Sequence, residues 1–374
     1  MYAIGLMSGT SLDGVDACLV KIKHKKFEFV DFVTYPYNDE FKSRIMRNLS
    51  NDTATLSEIS SLNFEIAKEF VKAIDMLLEK SGKEYKDINF IASHGQTIWH
   101  DPKGEKTGAI SPNTMQIGEA SVINYLTGIK VVSNFRCKDI AAGGQGAPLV
   151  PFSEYYLYHD KKKNLVFQNI GGISNLTYIK KDAKADDVIS FDNGVGNIMI
   201  DYFTNKYFNK AYDKDGDIAS SGKVIDAILD YLKKDEYIYM PYPKSTGREK
   251  FSKEYMEELA STLHFDNYNK EDIVCTIAEF TAFSVAYSYT HFLKDVDLVI
   301  VSGGGSHNKY LMKRIKELSN MNVVSGDEYG INSDAKEALA FCVMGYMTLK
   351  HLPSNLRSAT GAKENVILGD ITIW

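Results

Sequence analysis

The stretch Gly5-Leu-Met-Ser-Gly-Thr-Ser-Leu-Asp-Gly-Val-Asp16 joins two short apolar segments at the start of the chain. We predict that residues 2–7 and 15–20 are strands and that the turn between them makes a hairpin. Glycine lets a ligand approach the backbone closely and tolerates positive φ. Successive backbone N–H groups in such a turn, with Ser and Thr hydroxyls, form a concavity that suits phosphate oxygens. The alternative is an ordinary surface hairpin, because glycine-rich turns are common.

Two later stretches repeat the combination of a strand and a glycine turn. The first is Asn164-Leu-Val-Phe-Gln-Asn-Ile-Gly-Gly-Ile-Ser-Asn-Leu-Thr-Tyr-Ile179, which is again predicted to be strand, turn and strand. Two such hairpins, each opening an apparent domain, indicate a duplicated unit that faces one ligand from two sides. The second is Asp297-Leu-Val-Ile-Val-Ser-Gly-Gly-Gly-Ser-His-Asn308, where a buried strand ends in three glycines. Bare backbone there can accept something flat, such as a nucleotide base and ribose.

The run Val188-Ile-Ser-Phe-Asp-Asn-Gly-Val-Gly-Asn197 predicts a strand that delivers Asp192 into a turn, with a helix starting near Asn197. A carboxylate beside a helix N-terminus can meet a phosphate group or activate an oxygen nucleophile. The alternative is that Asp192 is a turn or cap residue.

Three further polar positions are candidate ligand contacts. The run Ser93-His-Gly-Gln-Thr97 follows a predicted strand at 88–92, where open α/β sheets place ligands; we interpret His94 as a structural residue bonded to backbone. Arg136 precedes a glycine-rich stretch at 139–151 with too little periodicity for a helix, and is either an anion or sugar contact or a surface arginine. Glu337 is either part of a helix cap, after Ser333 or Asp334, or a carboxylate that accepts sugar hydroxyls.

Three other stretches are predicted to be one helix and two polar loops. Residues 116–126 are predicted to be a helix. Residues 212–222 resemble part of a calcium loop, but the bidentate Glu that ends such a loop is missing, so we reject calcium binding. The run Pro243-Lys-Ser-Thr-Gly-Arg-Glu249 is predicted to be a polar loop.

Composition sets the broad class. The 374 residues favour two domains. A net charge of −6 argues against a general nucleic-acid binder, which needs a basic surface. The four cysteines form no CxxC pair, which favours reduced thiols in a cytosolic protein. We find no signal-peptide pattern and no apolar run of membrane-spanning length.

The three glycine-rich turns, in this order, resemble the sugar kinase/heat-shock protein/actin superfamily. More closely, the chain is similar to the anhydro-N-acetylmuramic acid kinase family. The motifs that carry the resemblance span nearly the whole chain: the opening stretch 5–16, Ser93-His-Gly-Gln-Thr97, Gln116-Ile-Gly-Glu119, Asp139-Ile-Ala-Ala-Gly-Gly-Gln-Gly-Ala-Pro148, Asn169-Ile-Gly-Gly-Ile-Ser-Asn175, Phe191-Asp-Asn-Gly-Val-Gly-Asn197, Ser302-Gly-Gly-Gly-Ser-His-Asn308 and Ser333-Asp-Ala-Lys-Glu-Ala338.

The resemblance implies an α/β fold with two lobes of the actin-like ATPase (ribonuclease H-like) type. Each lobe would be a mixed sheet flanked by helices, with an ATP cleft between the lobes. We expect lobe I at residues 1–135 plus 345–374 and lobe II at 136–344. The resemblance also implies a cytoplasmic enzyme that acts on a small anhydrosugar, binds neither nucleic acid nor membrane, and can form a homodimer.

The implied reaction opens the 1,6-anhydro bridge of 1,6-anhydro-N-acetylmuramic acid with water and phosphorylates O6, which gives N-acetylmuramic acid 6-phosphate and ADP in peptidoglycan recycling. Asp192, in the Phe-Asp-x-Gly motif, would be the general base that takes a proton from water. Catalysis would otherwise consist of positioning and charge neutralisation. The alternatives are a kinase for another 1,6-anhydrosugar such as levoglucosan, or a nucleotide-binding protein of this superfamily that is not a kinase.

The resemblance also implies a role for each motif residue. The sugar would contact Thr97, Arg136 and Glu337. Phosphates and adenosine would bind the glycine turns, through Gly9, Thr10, Ser11, Leu12, Asp13, Gly14, Val15, Asp16, Asn169, Gly171, Gly172, Gly303, Gly304 and Gly305. We expect Mg²⁺ with the ATP. Its ligands stay open, with Asp192 or water-mediated contacts from Asp13 or Asp16 as candidates.

This chain departs from the family motif at two positions and from the pattern common in the wider superfamily at two more. The usual Phe-Asp-Thr-Gly-Pro-Gly-Asn motif has Asn193 and Val195 here in place of Thr and Pro. Loss of the proline is expected to loosen the turn after Asp192. The wider superfamily has Asp where this chain has Met7 and Asn169, and this leaves the metal ligands undefined.

Overall fold

The structure is a computed structural model that describes residues 1–9, 12–106, 108, 111–247 and 250–373. The chain divides into two compact units. The first comprises Met1–Tyr158 and Ala335–Trp374, and the second comprises His159–Asp334. Among the described residues, no helix has both the length and the apolar character needed to cross a membrane.

Each unit is built on one sheet. The strands of the described residues are β1 Tyr2–Ser8, β2 Gly14–Lys23, β3 Lys26–Pro36, β4 Ile88–Asp101, β5 Asn113–Ile117, β6 Val131–Ser133, β7 Leu165–Ile170, β8 Ile173–Ile179, β9 Ile189–Val195, β10 Leu298–Ser302, β11 Val323–Ser325 and β12 Asp370–Thr372.

Helices flank both sheets. Their bounds are α1 Asp39–Arg47, α2 Leu56–Ser81, α3 Ala120–Thr127, α4 Phe135–Ala141, α5 Val150–Tyr158, α6 Ile198–Phe208, α7 Asp217–Ser221, α8 Asp226–Leu232, α9 Glu236–Tyr239, α10 Lys253–Thr262, α11 Lys270–Phe292, α12 Lys309–Ser319, α13 Gly326–Tyr329, α14 Lys336–Leu349 and α15 Arg357–Thr360.

The two sheets share the same order and directions over five strands, and the first sheet adds β5 and β12. In the first unit the strand order is β3-β2-β1-β4-β6-β12, and β5 pairs with the far part of β4. The first three strands are antiparallel, whereas β4 is parallel to both β1 and β6. In the second unit the order is β9-β8-β7-β10-β11, again with three antiparallel strands followed by two parallel pairings. This confirms the predicted α/β class with two mixed sheets, and the repeated hairpins open equivalent halves of the two sheets.

The observed units end at other residues than the boundaries expected at 135/136 and 344/345. The first boundary differs because the segment after residue 135 belongs to the first unit, where the buried carboxylate of Asp139 holds it by hydrogen bonds. This carboxylate accepts hydrogen bonds from Gly146 N at 2.8 Å, Asn355 Nδ2 at 2.9 Å and Thr360 Oγ1 at 2.8 Å. On the other side, α14 is a continuous helix that packs on β1, β2 and β4, so a boundary at 344/345 would cut it.

Two glycines allow α14 to lie close to the first sheet. A Cβ atom at Gly5 would lie 1.9 Å from the carbonyl oxygen of Ala338, and one at Gly345 would lie 2.8 Å from the Cβ of Ala92. Since backbone atoms cannot move out of the way as a flexible side chain can, this approach requires glycine at position 5. The position of α14 matters for function because Glu337 lies in its first turn.

We expect Gly5→Ala to destabilise the first unit by about 1–3 kcal/mol, the range for inserting a methyl group into a well-packed core. Denaturant unfolding of the purified protein measures this loss. Gly128→Ala is the control: a Cβ there meets no atom within 4 Å, and only its φ of +69° opposes the substitution. Equal stability of Gly5→Ala and the wild-type protein would contradict the close packing of α14.

Candidate active site

The turn between β1 and β2 is held by buried polar side chains beneath it. The Ser8 Oγ atom lies 2.6 Å from Gln96 Oε1, 3.0 Å from Tyr37 Oη and 3.0 Å from the carbonyl oxygen of Gly14. A Cβ atom at Gly14 would lie 2.1 Å from the carbonyl oxygen of Tyr35, so only glycine fits there. The Ser8 hydroxyl therefore links the end of β1 to β2 and β4 next to the predicted phosphate turn.

The members of this turn have different environments. Thr10 and Ser11, both predicted ATP contacts, lie outside the described residues. Leu12 has a positive φ of 58° and a buried side chain. Asp13 is exposed and pairs with Lys42 at 3.2 Å. Their predicted role as phosphate contacts stays a prediction.

The two strand residues after the turn differ in what they can offer a ligand. Val15 is buried in the core, so only its backbone can serve a ligand. Asp16 accepts a hydrogen bond from Thr34 Oγ1 at 2.6 Å, which fixes its carboxylate against β3.

The polar group of the first unit is the name we give to His94 and the predicted sugar contacts Thr97, Arg136 and Glu337. Arg136 and His94 are bonded to each other within it. Arg136 Nε donates to His94 Nε2 at 2.9 Å, and Arg136 Nη1 donates to the carbonyl oxygen of Gly146 at 2.7 Å. Because His94 Nε2 accepts, the proton of a neutral ring lies on Nδ1, which is 2.9 Å from the carbonyl oxygen of Gly95. Burial, together with the charge of Arg136, holds the pKa of His94 well below its usual value. His94 is thus a neutral structural residue that orients Arg136.

Arg136 and Glu337 are electrostatically coupled. Burial lowers the pKa of Arg136 to about 10, while Glu337 and Asp139 act in the opposite direction. Arg136 therefore stays protonated at neutral pH. Glu337 keeps an exposed side chain, yet desolvation by the surrounding protein raises the pKa of its carboxyl, against the effect of Lys336 and Arg136. An arginine fork and a carboxylate side by side can donate to and accept from sugar hydroxyls.

Thr97, the remaining predicted sugar contact, lies in β4. Its hydroxyl accepts from Gln116 Nε2 at 3.2 Å. Both residues lie on paired strands, because β4 continues to Asp101 rather than ending at 92, and residues 116 and 117 belong to β5 rather than to the predicted helix. Arg136 also differs from expectation: it lies in α4 rather than in a loop.

In the second unit, the predicted contacts Asn169, Gly171 and Gly303 lie at the carboxyl ends of the neighbouring strands β7 and β10. Asn197 N donates to the carbonyl oxygen of Gly171 at 2.7 Å, and Asn197 Nδ2 donates to Ile170 O at 3.2 Å. A Cβ atom at Gly303 would lie 2.6 Å from Asn169 Oδ1. The structure therefore brings the second hairpin, the start of α6 and the end of β10 together.

A cavity of about 410 Å³ opens beside these turns. Its lining residues come from α6, the segment before α7 and the segment after β10: Asn197, Ile200, Asp201, Tyr212, Asp213, Lys214, Asp215, Gly304, His307 and Asn308. Gly304, a predicted adenosine contact, is among them, and the exposed ring of Tyr212 offers a flat apolar surface. The sequence analysis singled out Gly304 alone among the residues of this cavity as a nucleotide contact.

Asp201 is an unusual residue of this cavity. Its carboxyl has no hydrogen-bond or ion-pair partner among the described residues, and burial together with the charge of Asp213 raises its pKa to about 7. Asp213 itself accepts from the backbone N–H groups of Ile218 and Ala219 at 2.8 and 3.0 Å. A half-buried carboxyl without a partner is costly, which marks Asp201 as a candidate ligand contact.

Asp192 is held at both its backbone and its side chain. It lies in β9 rather than in a turn after it. Its Oδ2 atom accepts from Ser245 Oγ at 3.0 Å and from Thr246 N at 2.9 Å. Its backbone N donates to Lys244 O at 3.2 Å, and its carbonyl oxygen accepts from Tyr237 Oη at 3.0 Å. Sequence reasoning did not predict that the loop at 243–249 holds this carboxylate.

The two departures from the family motif have structural explanations. Asn193 is fully buried, and its Oδ1 accepts from Gln168 Nε2 at 2.9 Å and Ser174 Oγ at 3.1 Å. Its carbonyl oxygen accepts from Ser284 Oγ at 3.0 Å. Val195 is buried in the core and pairs with Ile173 in the sheet. The strand after Asp192 is therefore anchored by side-chain hydrogen bonds and packing, without a proline.

A protein-only metal site is not evident in the part of the chain that the structure describes. There, no group of three or more His, Cys, Asp and Glu side chains is arranged to hold a metal ion.

Comparison with known proteins identifies the family. The family model described as anhydro-N-acetylmuramic acid kinase matches residues 1–373. The chain is 46% identical over 381 residues to the anhydro-N-acetylmuramic acid kinase of Clostridioides difficile (strain 630), covering 100% of this chain and 98% of that protein. It is 42% identical over 382 residues to the protein of the same name from Bacillus thuringiensis subsp. konkukian (strain 97-27), covering 100% and 99%.

Among solved structures, the chain is similar to the activator of the 2-hydroxyisocaproyl-CoA dehydratase from Clostridium difficile with bound ADPNP, at 12% identity and a TM-score of 0.48, over 94% of this chain and 96% of that one. This likeness is too distant to bear on function. The match to the family model and the two close relatives are sufficient: the chain belongs to the anhydro-N-acetylmuramic acid kinase family.

Proposed function

We propose that the chain is an ATP-dependent kinase that opens the ring of 1,6-anhydro-N-acetylmuramic acid with water and phosphorylates O6. The products are N-acetylmuramic acid 6-phosphate and ADP, in peptidoglycan recycling. The observation that carries the proposal is the fixed carboxylate of Asp192, held by Ser245 and Thr246 in a chain of this family.

In the proposed mechanism, Asp192 takes a proton from water as the water oxygen attacks C1 of the sugar. The C1–O6 bond breaks, and O6 keeps the electron pair. O6 then attacks the γ-phosphorus of ATP, the bond to the β–γ bridging oxygen breaks, and ADP leaves. Asp192 finally loses its proton to solvent. Because the O6 alkoxide is used directly, ring opening supplies the nucleophile for phosphoryl transfer.

The sugar is bound through the polar group of the first unit. Arg136 has five N–H donors, of which two bond to His94 and Gly146 among the described residues, so the others can serve the substrate. Glu337 accepts from hydroxyl groups, and Thr97 adds a hydroxyl. The bond from Arg136 to the neutral ring of His94 fixes the guanidinium before the sugar arrives, which reduces the entropy lost on binding.

The nucleotide is bound through the glycine turns and the cavity of the second unit. The cavity takes the adenosine, and the turns that contain Gly14, Gly171 and Gly172 supply N–H groups for the phosphates. Mg²⁺ fits these turns, because a phosphate-bound Mg²⁺ needs only one or two carboxylates and otherwise keeps water; Asp13 or Asp16 would hold it through water-mediated contacts, and Asp192 keeps the role of base. When bound, the ion neutralises charge on the phosphates.

The direct test measures ADP release with ATP and Mg²⁺, alone and with either 1,6-anhydro-N-acetylmuramic acid or levoglucosan. We expect ADP release with the first sugar only. Release with levoglucosan alone would establish the alternative anhydrosugar kinase. A folded, ATP-binding protein that neither sugar stimulates would contradict the proposal and favour a nucleotide-binding role without phosphoryl transfer.

Asp201 gives a pH-dependent prediction. Its pKa of about 7 in the folded chain lies above the value of about 3.9 for an unfolded aspartate. Between these two pH values, Asp201 is protonated in the folded chain and ionised in the unfolded chain. The free energy of unfolding therefore falls as the pH rises from about 4 to about 7. We therefore expect Asp201→Asn to raise the melting temperature at pH 8 and to change it little at pH 4.

The same variant tests the role of Asp201 in nucleotide binding. If its carboxyl contacts the nucleotide, Asp201→Asn raises the KM for ATP while it stabilises the fold, a trade-off typical of binding residues. Thermal unfolding without nucleotide at the two pH values and ATP titration of the kinase assay measure both effects. A variant that gains no stability at pH 8 would show that this carboxyl is not strained in the folded chain.

A cytoplasmic location, a homodimer and the lack of a nucleic-acid partner are part of the same proposal and stay predictions. Size-exclusion chromatography with light scattering tests the dimer.

A further inference from the structure

Lys244 is a buried lysine whose ammonium group forms no ion pair with a carboxylate among the described residues. The residue is 7% exposed. Its Nζ atom donates to the carbonyl oxygens of Tyr237 at 2.9 Å and Ile238 at 3.0 Å, both in the short helix α9. Three aromatic rings surround it, with centroids 4.8 Å (Tyr237), 4.9 Å (Phe292) and 5.7 Å (Phe191) from Nζ. Burial of a charge without a counter-ion is costly, so its presence requires a reason.

The backbone around Lys244 holds Asp192. The carbonyl oxygen of Lys244 accepts from the Asp192 N–H group at 3.2 Å. The next two residues, Ser245 and Thr246, donate to the Asp192 carboxylate. Tyr237, whose carbonyl oxygen accepts from the ammonium group, donates its hydroxyl to the carbonyl oxygen of Asp192. Lys244, its two successors and Tyr237 thus supply these four bonds to the backbone and carboxylate of Asp192.

We propose that Lys244 is a positioning residue for the kinase reaction: its ammonium group fastens segment 244–246 to α9, and that segment fixes the carboxylate of Asp192. The proposal rests on the proposed function, in which Asp192 is the base. Catalysis depends on the placement of this carboxylate, because a displacement of about 1 Å at a reacting group can cost on the order of 10²-fold in rate.

The charge state of Lys244 makes the proposal measurable. Burial lowers the pKa of Lys244 to about 8; Lys250 also lowers it, whereas Asp235 and Asp192 raise it. Among the described residues, Tyr237 is the other titratable group in contact with the ammonium, and burial raises the pKa of its hydroxyl above the usual value. A neutral amine makes weaker hydrogen bonds than an ammonium group. Turnover should therefore decline as the pH rises through about 8.

The experiment compares Lys244→Met with the matched control Lys250→Met. Lys250 also lies over the Tyr237 ring, at 4.7 Å, but it pairs with Asp235 at 2.7 Å and makes no bond to segment 244–246 among the described residues. We expect Lys244→Met to lower kcat by about 10- to 100-fold, with KM for ATP and sugar changed less than about threefold, and to abolish the alkaline decline. Lys250→Met should keep kcat within about twofold and move the decline to higher pH.

Each outcome bears on the proposal. A wild-type kcat and alkaline decline in Lys244→Met would overturn it. If Lys244→Met does not fold by circular dichroism, Lys250→Met decides: a decline that moves to higher pH supports the role of Lys244, and an unmoved decline overturns it. Absence of sugar-dependent ADP release from the wild-type protein is a different failure, because it overturns the proposed function and the role of Lys244 with it.

Discussion

Replacement of Asp192 by Asn is expected to reduce kcat by about 10²–10⁴-fold, the range for loss of a positioned general base. The amide has the same shape as the carboxylate, and its oxygen can still accept from Thr246 N, so the loop stays in place. What is lost is the capacity to take a proton from the attacking water. We expect the KM for ATP to change less than about threefold, since the nucleotide cavity does not include Asp192.

The control for this variant is Asp230→Asn, which removes the same charge from the exposed face of α8 in the same unit. It should retain the kcat of the wild-type protein. Steady-state kinetics of sugar-dependent ADP release measure both variants. An Asp192→Asn protein with more than about a tenth of the wild-type kcat would exclude Asp192 as the base.

Replacement of Arg136 by Ala is expected to lower kcat/KM for the sugar by about 10- to 150-fold. This corresponds to the loss of one charge-assisted hydrogen bond of about 1.5–3 kcal/mol. His94 Nε2 also loses its donor, so the polar group around it reorganises. The KM for ATP should change less than about twofold, because we assign Arg136 to the sugar.

Lys138→Ala serves as the control, because it removes a positive charge from an exposed position of the same helix, α4. It should leave kcat/KM for the sugar unchanged. Titration of each substrate at saturation of the other separates the two constants. If Arg136→Ala raises the KM for ATP as much as that for the sugar, Arg136 contacts nucleotide phosphate instead, and its assignment to the sugar is wrong.

The hairpins were the most predictable part of the fold. In both, apolar strands flank a glycine turn, so pattern and turn chemistry agree, and the strands at 2–8 and 165–170 follow from the sequence alone. By contrast, β4 continues through Ser93 and His94, which resemble loop residues in sequence. The strand accommodates His94 and Gln96 because distant partners, Arg136 and Ser8, form hydrogen bonds with their side chains.

Helix α4 was missed for a related reason. Its seven residues begin after Asn134, which has a left-handed φ of +60° and gives no side-chain cap. The helix is stabilised instead by the contacts of Asp139 with Asn355 and Thr360, more than 200 positions away. Likewise, α14 follows Ala335 rather than the expected caps Ser333 or Asp334. Local rules cannot anticipate such contacts.

Motif residues alone did not define the site. The sequence singled out Asp192, Arg136 and Glu337, because a carboxylate or an arginine next to a glycine turn is recognisable. It did not indicate Asp201 or Lys244, whose significance depends on burial without an ion-pair partner among the described residues, and burial follows from tertiary packing. Residues of this kind become visible only when the fold is known.

The central claim is that ring opening and phosphoryl transfer are one coupled reaction. The most direct measurement follows the formation of ADP and of sugar reducing ends in the same reaction, with the product analysed by mass. We predict one reducing end for each ADP, a product heavier than the anhydrosugar by one water and one phosphoryl group, and no ring opening without ATP. Ring opening in the absence of ATP, or a phosphorylated product that retains its anhydro bridge, would contradict the account.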